Sequence, residues 1–154
     1  GYGFSMAMFC DMRFVSESAM FTTAFAPRGL VAEHGMSWIL PRLLGTSRAL
    51  DILWSGRKFG AEEALQLGVA NRVVAPEQLL PETHTFIREL GEKCSPTSLM
   101  HMKQQIYRDL MERLDDSMRD TESRMAASVK RPDFKEGIAS FMERRPPEFP
   151  RIGT

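Results

Sequence analysis

Among the residues whose types could do chemistry, one carboxylate stands out. Glu33 lies in Gly29-Leu30-Val31-Ala32-Glu33-His34-Gly35-Met36, just ahead of an apolar run. A carboxylate held at the edge of a core can take a proton from one atom and return it to another, the work of a general acid–base. The same placement has a purely structural reading, because acids stabilise the positive end of a helix dipole. The residues alone leave both open. His34 is adjacent, and histidine changes charge near neutral pH. It could hydrogen-bond Glu33, act as an acid itself, or simply help to open the helix. Elsewhere such residues are sparse. His34, His84 and His101 show no ligand spacing, and Cys10 and Cys94 fit neither a disulfide framework nor a metal motif. The two cysteines read as reduced core residues.

Glu33 must be positioned by the helix that follows it. Met36, Ile39, Leu40 and Leu43 recur at helical spacing and form one apolar stripe. Gly45 stands where a helix C-terminus favours glycine. Upstream, residues 1–9 are nearly all apolar, with small residues at Gly1, Gly3, Ser5 and Ala7, a pattern that suits helix and strand equally. Residues 13–15 and 19–23 read as short strands, and Pro27-Arg28-Gly29 as a turn.

Downstream, helices are expected over 47–54, closed by Gly56, and over 61–67, stopped by Gly68. A strand follows over 69–74. Residues 76–94 read as helical, with Pro81 able to sit only in a first turn or at a kink. Ser95-Pro96 has the form of an N-cap with proline at the first helical position, and Leu99, Met102, Ile106, Leu110 and Leu114 continue that helix. Asp115-Asp116-Ser117 reads as a break and a new N-cap. The next helix runs to about Val129. Asp133 and Glu136 have capping-box spacing, ahead of an apolar face of Phe134, Ile138, Phe141 and Met142. Pro146-Pro147 ends the helical part.

The totals exclude several classes. With 43% hydrophobic and 26% charged residues over 154 positions, the chain has an ordinary globular composition. Its 20 basic and 20 acidic residues cancel, so neither nucleic acid nor an anionic membrane surface is the expected partner. No apolar run reaches the length of a membrane span and no signal peptide is visible, so the expected location is cytoplasmic. Eleven methionines suit adaptable packing.

Taken in order, the motifs carry a resemblance. Gly1-Tyr2-Gly3-Phe4-Ser5-Met6-Ala7-Met8-Phe9-Cys10-Asp11, the strand segment from Met12 to Phe21, and Leu40-Pro41-Arg42 resemble the second half of a crotonase-fold protein. That is the enoyl-CoA hydratase/isomerase superfamily. The resemblance continues through Ser55-Gly56-Arg57-Lys58-Phe59, Ala61-Glu62-Glu63-Ala64 and Leu67-Gly68-Val69-Ala70-Asn71-Arg72-Val73-Val74. It ends at Phe134-Lys135-Glu136-Gly137-Ile138-Ala139-Ser140-Phe141, and so covers essentially the whole chain. It implies an α/β fold, the crotonase-like β-β-α spiral, with residues 1–75 as the C-terminal part of the spiral core. Residues 76–154 would form a helical oligomerisation region, and residues 1–9 a buried helix. It also implies an N-terminal half of similar size beyond this chain, without which apolar surface is exposed.

The resemblance implies a site as well. The family stabilises an enolate by two backbone N–H groups, one from the start of the buried helix. Here that donor is the amide of Tyr2, with Gly1 and Gly3 letting the thioester approach. The two glutamates of the prototype hydratases fall on Ser5 and Phe25, neither of them a carboxylate. Glu33 stands where some enoyl-CoA and dienoyl-CoA isomerases carry their catalytic acid. Double-bond isomerisation with Glu33 as base is therefore expected. The alternatives are a hydratase that uses Glu33 to activate water, and a non-catalytic acyl-CoA-binding or oligomerisation module. Phe25, His34 and Trp38 are expected to contact the substrate, with Phe25, Trp38 and Met36 as apolar surroundings of Glu33. Phe134 and Lys135 open a C-terminal helix that in the family builds a trimer interface and sometimes reaches a neighbour's CoA site; a solvent-facing lysine is the other reading. The implied substrate is an acyl-CoA, with coenzyme A as part of it and no metal or redox cofactor, and the implied assembly is a homotrimer or hexamer.

Overall fold

Helix α1 (Tyr2–Met8) opens the computed structural model, which describes residues 1–152. Phe4, Ser5 and Met8 are buried, while Tyr2, Met6 and Phe9 are exposed. The helix expected over 1–9 is therefore present with one face buried, not buried all round. Strand β1 (Phe14–Ser16) follows, then β2 (Met20–Phe21) and a 3-10 turn at Ala26–Arg28 that closes on Gly29. Helix α2 (Met36–Leu44) buries Met36, Ile39, Leu40 and Leu44. Leu43, expected in that stripe, lies at the surface at 36% exposure, because the inward positions follow the i, i+4 row 36–40–44.

Helix α3 (Thr46–Ser55), strand β3 (Phe59–Gly60), helix α4 (Ala61–Leu67) and strand β4 (Arg72–Val74) complete this region. α3 stops at Gly56, whose φ of 54° is left-handed; a Cβ there would lie 2.7 Å from the Pro27 ring. Only glycine fits both the turn and the contact. The strand expected over 69–74 begins at Arg72, because Val69 and Ala70 are buried in the core as the chain leaves α4.

Pairing joins distant segments. β1 runs parallel to β4, with Val15 opposite Val73, and β2 runs antiparallel to β3, with Phe21 opposite Phe59. Phe21 stacks on Phe59 with centroids 5.4 Å apart, and Phe4 meets both edge-on. Around these rings the core gathers Met8, Phe25, Met36, Leu40, Ile52 and Val69. Full burial of side chains of this size stabilises by roughly 1.5–3 kcal/mol each.

By internal contacts the chain divides into two units, Gly1–His84 and Thr85–Thr154. Helix α5 (Leu79–Lys93) crosses that boundary in sequence, with Pro81 in its first turn. The second unit contains α6 (Pro96–Asp109), α7 (Leu114–Ser128) and α8 (Pro132–Glu143). Ser95 caps α6 as expected, its hydroxyl accepting from the Ser98 N–H at 3.1 Å. α6 and α7 are antiparallel: His101 meets Arg124 (3.1 Å), and Arg108 pairs with Asp120 (2.6 Å).

Two expected caps are replaced. α7 starts at Leu114, with Arg113 as N-cap, so Asp115 and Asp116 lie inside its first turn. There they favour the helix dipole, while the Ser117 hydroxyl donates to Asp109 at 2.7 Å. The capping box of Asp133 and Glu136 does not form. Pro132 takes the first helical position, with Arg131 as N-cap, and the Asp133 carboxylate accepts from the Ser95 hydroxyl. Glu136 instead accepts from Arg145 at 2.6 and 2.9 Å and from the Glu148 N–H at 2.7 Å. None of the described helices is long and apolar enough to cross a membrane.

Candidate active site

Glu33 sits in the turn that delivers the chain into α2, and its carbonyl accepts from the Met36 N–H at 3.0 Å. Two successive left-handed residues, His34 (φ 53°) and Gly35 (φ 74°), make that turn. Histidine tolerates this conformation better than a β-branched residue would. A Cβ on Gly35 would come within 3.0 Å of the Phe9 ring, so the turn packs against the C-terminal end of α1.

The other end of α1 meets the same turn. The Tyr2 and His34 rings touch edge-on, with centroids 5.0 Å apart and planes at 76°. Glu33 Oε2 lies 3.9 Å from His34 Nε2, and both side chains are more than a third exposed.

The first intrahelical bond of α1 is Ser5 N–H to Gly1 C=O at 3.2 Å. The amides of Tyr2, Gly3 and Phe4 thus precede any helical acceptor and remain available as donors. A Cβ on Gly1 or Gly3 would meet nothing within 4 Å. The packing within this chain does not require glycine at either position.

The expected site residues therefore separate into groups. Tyr2, Gly1, Gly3, Glu33 and His34 come together at the head of α1. Phe25, at 3% exposure, and Met36, at 0%, are buried among the core side chains. Trp38 lies at the core margin, with the Arg42 guanidinium 4.1 Å above its ring. Phe134 and Lys135 belong to α8 in the second unit, where Phe134 lines a hollow of about 350 Å³ with Arg131, Ile138 and Phe149. The Ser5 hydroxyl is buried and has no hydrogen-bond partner.

One residue that local patterns did not single out is Arg13, expected only as the start of a strand. Its guanidinium is buried and donates to the carbonyls of Cys10, Val69 and Gly68. The hint in the sequence is a lone cation between Met12 and Phe14-Val15.

The mixed helix–strand architecture is an α/β crotonase-like fold. Residues 1–151 match the family model for enoyl-CoA hydratase/isomerase, and the chain belongs to that family. A probable enoyl-CoA hydratase from Rhizobium meliloti (strain 1021) is 32% identical over 149 residues, covering 97% of this chain and 58% of that protein. The 1,2-epoxyphenylacetyl-CoA isomerase of Escherichia coli (strain K12) is 30% identical over 150 residues, covering 97% of this chain and 56% of that one. A crystal structure of an enoyl-CoA hydratase subunit from Geobacillus kaustophilus HTA426 superposes with a TM-score of 0.89 at 35% identity, over 97% of this chain and 58% of that one. The chain thus spans little more than half the length of the relatives it matches. A hydratase and an isomerase stand at nearly equal identity, so similarity does not choose between their reactions.

Proposed function

We propose that this chain carries the proton-transferring part of an enzyme acting on acyl-CoA thioesters. The favoured reaction is double-bond isomerisation, with Glu33 as its single base and the Tyr2 amide as one oxyanion donor. The observation that carries this reading is the Tyr2–His34–Glu33 cluster. It brings one carboxylate to the end of α1 whose first N–H groups have no helical acceptor.

In this mechanism Glu33 takes a proton from C2 of a 3-enoyl thioester. The C2–H electrons form a C1=C2 bond as the carbonyl π electrons move onto the thioester oxygen, giving a dienolate conjugated through to C4. The Tyr2 N–H stabilises the oxygen as charge develops there, the kind of term that dominates acyl chemistry. Glu33 then returns the proton at C4, giving the 2-enoyl thioester. A proton moves and no electron leaves the substrate, so the step calls for no redox cofactor, and no metal is part of this proposal. Coenzyme A enters as part of the substrate. The second oxyanion donor lies outside these residues on this reading.

A second reaction keeps the same base. In a hydratase Glu33 would deprotonate water for attack at C3, and the hydratases among the relatives favour that version. A homotrimer or hexamer is the proposed assembly.

The test is Glu33→Gln in the complete gene product, assayed for both 3-enoyl isomerisation and 2-enoyl hydration. The amide keeps the shape but cannot accept the proton. The expected loss is on the order of 10²–10⁴ in rate, the usual cost of removing a general base. Binding of a CoA ester should stay within about threefold, because the ground state loses little. Ser5→Ala should leave the rate near wild type. A full isomerase rate in Glu33→Gln, or its loss in Ser5→Ala, would overturn the assignment. Loss of hydration with negligible wild-type isomerisation would select the hydratase.

A further inference from the structure

We infer that Arg13 is a positioning residue: its buried guanidinium fixes where α1 sits along its axis, and with it the Tyr2 amide. This rests on the oxyanion role proposed for Tyr2.

Arg13 is 9% exposed. Its Nη1 donates to the Cys10 carbonyl at 2.7 Å, two residues beyond the last residue of α1. Its Nε donates to Val69 at 2.5 Å and its Nη2 to Gly68 at 3.5 Å, the carbonyls just past α4. One cation therefore gathers carbonyls just beyond the negative ends of two helices. The planar guanidinium fork can serve several acceptors in fixed directions, which an ammonium cannot.

The backbone of Arg13 is itself held. Its N–H donates to Asn71 Oδ1 at 2.8 Å, and its carbonyl accepts from the Asn71 N–H at 2.8 Å. Those bonds adjoin the β1–β4 ladder, so the guanidinium is referenced to the sheet.

The other contacts of α1 differ in kind. Phe4 packs on Phe21 and Phe59 with centroids 6.3 and 6.2 Å away, and Met8 is buried. Apolar burial is non-directional and does not by itself set a distance and an angle. Hydrogen bonds near 2.7 Å fix distance and angle. α1 has such a tether at its tail, where the Cys10 carbonyl accepts from Arg13 Nη1. A seven-residue helix is a rod only about 10 Å long at 1.5 Å per residue, so a shift at its tail reaches its head. A displacement of about 1 Å in a catalytic group can cost on the order of 10² in rate.

The experiment uses the complete gene product, with Arg13→Met and Arg13→Lys as variants and cinnamoyl-CoA as a probe. The absorption band of this conjugated thioester moves to longer wavelength as its carbonyl is polarised. The expected result is a clear red shift on wild type and less than half of it on either variant. Probe affinity should stay within about threefold, while kcat falls at least tenfold at nearly constant KM, the signature of lost transition-state contacts. If Arg13→Met does not fold, Arg13→Lys decides. Variants that keep the full shift and kcat, losing only Tm, would make Arg13 merely structural. Loss of probe binding altogether would also overturn the inference. A wild-type complex saturated with probe but unshifted would instead remove the oxyanion role of Tyr2, and this inference with it.

Discussion

Glu33 and His34 approach to 3.9 Å, with side-chain exposures of 39% and 44%. Even with the imidazole protonated, a pair this open to water is worth only about 0–1 kcal/mol. His34 therefore serves the proposed site mainly by shape, through its ring contact with Tyr2 and its left-handed backbone. His34→Asn keeps a residue that tolerates that backbone and removes the ring. The expected outcome is a fall in kcat/KM of less than about tenfold, well short of the loss on Glu33→Gln. A loss as deep as that of Glu33→Gln would instead make His34 a proton carrier. Glu33 stood out in the sequence as an acid ahead of an apolar helix, but the local pattern left its role open and only the family resemblance pointed to a base. Arg13 did not, because two of its acceptors lie 55 and 56 residues away.

At the scale of elements, what was legible followed local backbone chemistry. Gly56 and Gly68 end α3 and α4 where expected, and Ser95-Pro96 opens α6. What was not legible depended on partners far along the chain. Parallel pairing of β1 with β4 has no local signature. Asp133 and Glu136 have the spacing of a capping box, yet each finds a stronger partner elsewhere, in Ser95 and Arg145. The second of these has a pH signature. Hydrogen bonds from Arg145, and then from the Glu148 N–H, hold the Glu136 carboxyl down at about 2, against an ordinary 4.5. The unfolded chain binds this proton more readily than the folded one. The stabilisation is therefore complete above about pH 4.5 and is lost as pH falls toward 2. Amide exchange at Glu148 should be slow, relative to the intrinsic rate, at pH 5 and should lose that protection approaching pH 2. In Glu136→Gln the protection should be weaker and flat over that range; a transition that persists in this variant would belong to another carboxylate.

The whole molecule raises a question of surface. The described residues include an unusual set of exposed large apolar side chains, among them Ile106 at 64%, Leu114 at 76%, Phe141 at 80% and Met142 at 74% in the second unit. Monomeric soluble proteins seldom leave large contiguous apolar patches open to water. Their helices still carry polar faces: Arg108 and Arg124 both reach Asp120, and Arg145 reaches Glu136. The apolar residues are thus the other faces of amphipathic helices, as partner-covered helices require. A closed homo-oligomer repeats one such surface around a symmetry axis, and the trimer or dimer of trimers proposed here is the form that the family resemblance implies. Sedimentation equilibrium of the complete gene product should give three or six times the protomer mass at micromolar concentration. Phe141→Asp puts a charge at one of the most exposed of these positions, and should shift the mass toward the protomer while leaving the far-ultraviolet circular dichroism unchanged. The wild-type protein sedimenting as a monomer under those conditions would rule the assembly out.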